Sequence, residues 1–265
     1  MKIRLVTGIS AGAAFVLFVL LGRLPFTLLI YLIGSISLYE LLRMKRVKLS
    51  STPGIISLLM LWTLLLPSVY EQMEIIKLTK VEAVLFGVLV LLAYTVLTKN
   101  TFSFDEAAFV ILSTLYLGMG FYCFIEIRNY SGIGIEMIFY AIGVIWATDS
   151  GAYFIGKSLG KRKLWPEISP NKTVGGFVGG IIVSVVFAIV YQTITSFTDS
   201  YILILFTTVF LSIFGQIGDL VESALKRHYQ VKDSGHILPG HGGMFDRFDS
   251  FLFVMPLMYF FLRFF

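Results

Sequence analysis

The sequence contains little charge and almost no cysteine. Only 14% of its 265 residues are charged, whereas a soluble domain of this length carries roughly a quarter. Its single cysteine, Cys123, lies in an apolar run, so a disulfide framework is excluded. The formal net charge of +5 is small for a protein that binds nucleic acid, and we expect no nucleic-acid partner.

Apolar residues, in contrast, fill the whole chain. They make up 57% of the sequence, and the mean hydropathy is +0.86. Because the runs are continuous and do not alternate with period two, they predict an all-α, polytopic integral membrane protein and not a barrel. Low-complexity segments and long linkers are missing. We therefore expect one membrane domain over 1–265, with N-terminal spans in 1–130 and catalytic spans and loops in 131–265.

About nine runs approach the 20 or so apolar residues that a membrane-spanning helix needs. They are predicted at 5–22, 25–43, 53–71, 82–98, 105–126, 133–155, 173–194, 201–226 and 246–263. The first run begins like a signal peptide but lacks a convincing cleavage site, so we interpret it as a retained span. With nine spans, 16 of the 21 Lys and Arg residues fall on the N-terminal side of the membrane. The positive-inside rule then predicts a cytoplasmic N-terminus.

The first polar region follows Asp149, near the end of the sixth predicted span. Asp149 and Lys157 share a helix face, so a plain ion pair is one interpretation and a site for a charged ligand is the other. Lys172 and Thr173 immediately precede the seventh span and would surround a helix N-terminus, which favours anions. Glycines in that span repeat at four-residue spacing and predict close helix packing. They are Gly175, Gly176, Gly179 and Gly180.

The second polar region begins at the end of the eighth span. Four residues there follow i, i+3, i+4 and i+7 spacing and form one polar stripe: Asp219, Glu222, Ser223 and Lys226. Asp246 and Asp249 lie three residues apart at the start of the ninth span. Since consecutive spans are often neighbours, we expect Asp219, Asp246 and Asp249 to converge, and such a cluster suits Mg²⁺. The alternative for Asp246 and Asp249, a favourable interaction with the helix dipole, leaves Asp219 unexplained.

A glycine-rich segment, Pro239-Gly-His241-Gly242-Gly243, connects the last two spans. Glycines at these positions allow backbone amides to approach an anion closely. A zinc site formed by His236 and His241 is a weak alternative, because no cysteine assists and the spacing matches no zinc motif.

These segments resemble the signature of the CDP-diacylglycerol synthase (phosphatidate cytidylyltransferase) family. The longest match reads Ser223-Ala-Leu-Lys226-Arg227, Lys232-Asp233 and Pro239-Gly-His241-Gly242-Gly243-Met-Phe-Asp246-Arg247-Phe-Asp249. Upstream, Asp149-Ser-Gly-Ala-Tyr153, Gly156-Lys157 and Ser169-Pro-Asn-Lys172-Thr173 are also similar to that family. The resemblance covers roughly 145–180 and 215–250, whereas the first 130 residues resemble the family only in being apolar.

The resemblance implies an enzyme of phospholipid biosynthesis. It would transfer the cytidylyl group of CTP to phosphatidic acid, giving CDP-diacylglycerol and pyrophosphate, with Mg²⁺ and a second cation such as K⁺. The expected location is the cell inner (plasma) membrane, among membrane lipids, with the active site facing the cytoplasm. The glycine stripe of the seventh span predicts either a homodimer interface or internal packing only.

The resemblance and the spacing together assign candidate roles. The metal ligands are Asp219, Asp246 and Asp249, with Asp149 as a fourth candidate. The catalytic set is Asp219, Lys226, Arg227, Lys232, His241, Asp246, Arg247 and Asp249. The substrate-binding set is Asp149, Lys157, Lys172, Thr173, Ser223, Gly242 and Gly243.

Three other classes account for fewer of these features. A secondary transporter or channel predicts acids near the midplane on several spans, whereas here they gather at helix ends. A CDP-alcohol phosphotransferase also uses carboxylates and Mg²⁺, but its Asp-Gly…Ala-Arg…Gly…Asp…Asp pattern is absent. A scaffold protein does not explain the acidic cluster.

Overall fold

The computed structural model describes residues 2–71, 79–196, 198–238, 240 and 242–265. Over these residues the chain is mainly α-helical. The helices are α1 Lys2–Leu21, α2 Arg23–Met44, α3 Thr52–Leu64, α4 Ser68–Glu71, α5 Lys80–Leu97, α6 Phe104–Asn129, α7 Gly134–Leu159, α8 Val174–Thr195, α9 Tyr201–His228 and α10 Phe245–Phe261. Two short strands, β1 Lys163–Trp165 and β2 Ser169–Thr173, pair antiparallel between α7 and α8, and a 3₁₀ turn, Leu262–Phe264, follows α10.

Six of the described helices are long and apolar enough to cross a membrane. They are α2, α5, α6, α7, α8 and α9. Shorter apolar helices cover Val6–Leu21 and Thr52–Leu64. The predicted class, an all-α integral membrane protein, is confirmed. The number nine and the cytoplasmic N-terminus stay predictions.

The third predicted span, 53–71, is wrong as one continuous helix. The helix α3 starts where the Ser51 hydroxyl accepts the Gly54 N–H at 3.4 Å, and it ends at Leu64. The break falls just before Pro67, which lacks an N–H and disfavours helical geometry in the residue that precedes it. A separate short helix, α4, begins at Ser68.

The chain forms two compact units. The first unit comprises Met1–Glu126 and Asp233–Asp246, and the second comprises Ile127–Lys232 and Arg247–Phe265. The first unit therefore holds α1–α5, most of α6 and the 234–244 loop, by which we mean the residues between α9 and α10 from Ser234 onward. The prediction of one domain over 1–265 is not tested by this division.

The first unit is held together by apolar packing of α2. Phe26 and Phe124 are fully buried, and Phe15 packs edge-on against both rings at centroid distances of 6.2 and 6.0 Å. The same helix also carries a fully buried carboxylate, Glu40. Such a group in an apolar helix requires hydrogen-bond donors around it.

The second unit is organised by very close packing of α7 on α8. A Cβ atom on Gly176 would lie 2.7 Å from the Ala152 carbonyl oxygen, and one on Gly180 would lie 2.8 Å from the Thr148 carbonyl oxygen. Only glycine permits this approach, so the predicted packing role of the stripe is confirmed. The Thr148 hydroxyl also donates to the Ser212 hydroxyl at 2.9 Å, which joins α7 to α9.

Candidate metal and phosphate site

Three carboxylates converge in the second unit. Asp219 and Glu222 lie one turn apart on α9, and Asp249 comes from α10; one ligand oxygen from each lies within 4.8 Å of the other two. The backbones of the two helices approach closely at Gly218, where a Cβ atom would lie 2.8 Å from the Asp249 carbonyl oxygen. This approach brings the Asp249 side chain to the acidic face of α9.

Two lysines border the cluster. The Lys172 ammonium lies 2.6 Å from Oδ2 of Asp219, and the Lys226 ammonium lies 2.5 Å from Oε1 of Glu222. Lys226 reaches its partner along α9, since the two are four residues apart. Lys172 comes from β2, directly before α8. Two positive charges thus face three negative charges, which leaves the cluster suited to a further cation.

A fourth acid from α7 joins this electrostatic network. Asp149 interacts with the charges of both Asp219 and Lys172. Asp249 interacts with Asp149 and Asp219. The alternative ion pair between Asp149 and Lys157 is not found among the described residues. The role of Asp149 as a fourth metal ligand remains a prediction.

The chemistry of the donor set fits a divalent cation. All three side chains offer carboxylate oxygens, the ligands that hard divalent cations prefer. Glu222 is buried, with 2% of its surface exposed, whereas Asp219 and Asp249 are half-buried and keep access to solvent. Ser223 supports the arrangement, because its hydroxyl donates to Oδ1 of Asp219 at 3.5 Å.

Thr173 is the N-cap residue of α8. Its hydroxyl accepts the Gly176 N–H at 3.0 Å and caps the helix, and the side chain is buried. The predicted helix start is therefore correct. The predicted contact of Thr173 with substrate remains a prediction.

Several predicted phosphate-binding side chains are exposed in the second unit. They are Lys157, Arg227, Lys232 and Arg247. Arg227 also donates from Nε to the Ile168 carbonyl at 3.3 Å, which ties the end of α9 to the β1–β2 hairpin. The Lys157 ammonium lies 6.0 Å from the centre of the Tyr153 ring. These cations are accessible to anionic ligands.

Asp246, Gly242 and Gly243 belong to the first unit. The Asp246 carboxylate accepts the Ser234 N–H at 3.1 Å and the Gly243 N–H at 2.9 Å, so it organises the 234–244 loop. Gly242 has φ of +84°, a conformation that other residues rarely adopt. His241 lies outside the described residues. Convergence of Asp246 with Asp219 and Asp249 remains a prediction.

Two acids were not assigned a role from the sequence. Glu222 was recognised only as part of a polar stripe, although it supplies the third carboxylate of the cluster. Glu40 was not singled out at all, yet it is fully buried and contacts the 234–244 loop. The available signal was its position inside a predicted span, because an ionisable residue there is a functional candidate by default.

An acidic cluster bordered by lysines lies on α9, which is long and apolar enough to cross a membrane, and at the start of α10. These features define a membrane protein suited to cation-assisted phosphate chemistry. The chain belongs to the cytidylyltransferase family, whose model matches residues 2–265. It is 62% identical over 262 residues to a phosphatidate cytidylyltransferase of Bacillus subtilis (strain 168), covering 99% of this chain and 97% of that protein. A phosphatidate cytidylyltransferase of Staphylococcus haemolyticus (strain JCSC1435) is 49% identical over 259 residues, or 97% of each chain. The family predicted from the signature is confirmed.

Proposed function

We propose that this chain transfers the cytidylyl group of CTP to phosphatidic acid, giving CDP-diacylglycerol and pyrophosphate for phospholipid biosynthesis. Its family and its 62% identity to a phosphatidate cytidylyltransferase support this activity. The observation that carries the proposal is the Asp219–Glu222–Asp249 cluster with Lys172 and Lys226 at its border. Such a site suits a reaction between two polyanions.

The reaction exchanges one phosphoanhydride bond for another. A phosphate oxygen of phosphatidic acid attacks the α-phosphorus of CTP, and the bond from that phosphorus to the β-bridging oxygen breaks. Pyrophosphate leaves with the bonding electrons. The exposed cations Lys157, Arg227, Lys232 and Arg247 would hold and orient the two substrates, which repel each other in water.

Proton transfer is a minor requirement. The phosphate monoester of phosphatidic acid is already largely ionised at neutral pH, so the attacking oxygen needs little help from a base. His241 is therefore proposed to orient a phosphate, with transfer of a proton as the alternative role.

Asp219, Glu222 and Asp249 would hold a divalent cation, and we take it to be Mg²⁺. When bound, Mg²⁺ offsets charge on the CTP phosphates and on the leaving pyrophosphate. Asp246 and Asp149 stay proposed ligands, and a second cation such as K⁺ is part of the proposal. Lys172 and Lys226 hold the carboxylates in place through their ion pairs.

The proposed location is the inner (plasma) membrane, with nine spans and with both the N-terminus and the site facing the cytoplasm. The bias of basic residues, 16 of 21 on one side of the predicted topology, supports this orientation. CTP is a cytoplasmic nucleotide, and the diacyl tails of the lipid would remain in the bilayer. A homodimer is also proposed, with the exposed side of α8 as a candidate interface.

The activity is tested with protein purified in detergent and supplied with phosphatidic acid, radiolabelled CTP and Mg²⁺, with and without EDTA. We expect label in a lipid-extractable product, release of pyrophosphate, and loss of both in EDTA. Asp219→Asn should abolish turnover in folded protein, whereas Asp105→Asn, a matched change at an exposed acid in α6, should not. Wild-type protein that is folded but makes no product would overturn the proposal.

A further inference from the structure

Glu40 is a fully buried carboxylate in α2, within the first unit. Its hydrogen-bond donors come from residues 194 to 205 positions later in the chain. Oε1 accepts the Met244 N–H at 3.0 Å, and Oε2 accepts the Phe245 N–H at 2.8 Å and the Ser234 hydroxyl at 3.0 Å. The carboxylate is thus enclosed by the two ends of the 234–244 loop.

Two carboxylates close the base of this loop together. Glu40 engages the Ser234 hydroxyl, where the loop begins, and the Phe245 N–H, where α10 begins. Asp246 engages the Ser234 N–H and the Gly243 N–H. Arg43, one turn after Glu40 on α2, donates from Nη2 to the Ser234 carbonyl at 3.3 Å. Ser234 is therefore held through its hydroxyl, its N–H and its carbonyl oxygen.

The contact between Glu40 and the loop leaves no spare volume. A Cβ atom on Gly243 would lie 2.5 Å from the Gly235 nitrogen and 2.6 Å from Oε2 of Glu40, so this position requires glycine. A Cβ atom on Gly235 would displace the Glu40 carboxyl group. Ser234 is 1% exposed and Phe245 is fully buried. Because these donors are shielded from water, loss of the carboxylate would leave them without an acceptor and would destabilise the loop.

We propose that Glu40 is a positioning residue for the 234–244 loop. It holds the base of the loop and the first turn of α10 so that Gly242, Gly243 and Asp246 keep one arrangement. Its negative charge also satisfies N–H groups at the start of α10, which lack partners within the helix. The proposal rests on the proposed function in one respect: Gly242 and Gly243, which the sequence predicts to bind substrate, are taken here to bind the CTP phosphates.

The direct test is amide hydrogen exchange of the 234–245 segment in Glu40→Gln, measured by mass spectrometry in detergent. Glutamine keeps the size of glutamate, but its NH₂ group replaces an acceptor with a donor and faces other donors. We expect at least tenfold faster exchange in this segment, with exchange in α7 to α9 unchanged. Glu126→Gln is the matched control, because Glu126 holds the start of α4 through Ser68 in the same way; it should leave the 234–245 segment unchanged.

A kinetic split separates positioning from mere loss of stability. In Glu40→Gln the KM for CTP should rise at least fivefold, while the KM for phosphatidic acid stays within twofold. Glu40→Asp keeps the charge and should recover part of the loss. Loss of folded enzyme alone would lower the rate without changing the KM for CTP.

Each outcome decides the proposal. Folded Glu40→Gln with wild-type exchange in the loop, or with faster exchange and an unchanged KM for CTP, overturns it. If Glu40→Gln does not fold, Ser234→Ala removes one donor without altering α2; faster loop exchange and a raised KM for CTP support the proposal, and wild-type values overturn it. If the wild-type protein makes no CDP-diacylglycerol, the proposed function fails, whereas the exchange comparison still decides whether Glu40 holds the loop.

Discussion

The ammonium of Lys172 lies 2.6 Å from the carboxylate of Asp219, although 47 positions separate the two residues in the chain. The pair is partly shielded, with 26% of the lysine side chain and 34% of the aspartate side chain exposed. β2 delivers Lys172 to the acidic face of α9, directly before the capped start of α8. The pair therefore joins the basic hairpin segment to the acidic cluster.

Lys172→Gln should lower kcat/KM for CTP at least tenfold, because the amide neither holds Asp219 by charge nor attracts a phosphate. The measurement is steady-state kinetics at saturating Mg²⁺. Lys163→Gln is the matched control, since Lys163 is an exposed cation of the neighbouring strand β1 and should keep activity within twofold. Equal effects of the two substitutions would mean that only the total positive charge of the hairpin matters.

Gly218→Ala should displace α10 from α9. The added Cβ atom would lie 2.8 Å from the Asp249 carbonyl oxygen, and a backbone atom yields only if the helix moves. We expect activity to fall at least tenfold and the half-saturating Mg²⁺ concentration to rise. Gly12→Ala, at a position with nothing within 4 Å, should match the wild-type protein. Wild-type activity of Gly218→Ala would argue against a role for the α9–α10 approach.

Lys226→Met should destabilise the folded protein by leaving the Glu222 carboxylate without its lysine. The side chains of Lys226 and Glu222 are 18% and 3% exposed. The free energy of unfolding should therefore fall by an amount between about 0.5 kcal/mol, as for an exposed pair, and about 4 kcal/mol, as for a buried one. The melting temperature in detergent, at low Mg²⁺, measures the effect. Adding Glu222→Gln to Lys226→Met should restore part of the lost stability, whereas strictly additive losses would show that the pair is not coupled.

The helices were largely predictable because long apolar runs have few alternatives in a membrane. The third predicted span is too long at its C-terminal end. The apolar run continues past Pro67, but the helix ends before this proline. The β1–β2 hairpin was not predicted, because strands of only 3 and 5 residues are too short to give a clear periodic signal.

The candidate site was predictable where its acids lie at the facing ends of consecutive spans. Asp219 could be placed beside Asp249 because both lie at the ends of consecutive spans. Glu222 was overlooked as a third ligand, since the same spacing equally suggests an ion pair with Lys226, and the structure shows both contacts. Glu40 could not be linked to Phe245 at all, because a contact across 205 positions leaves no periodic trace in one sequence.

The proposed role of Asp219, Glu222 and Asp249 is to hold the divalent cation that cytidylyl transfer requires. Its most direct test is the Mg²⁺ dependence of CDP-diacylglycerol formation in Glu222→Gln compared with the wild-type protein, with the fold checked by size-exclusion chromatography. Removing one of three carboxylates should raise the half-saturating Mg²⁺ concentration at least tenfold while leaving the KM for phosphatidic acid unchanged. An unchanged Mg²⁺ dependence in folded, active Glu222→Gln would contradict the claim and would place the cation elsewhere.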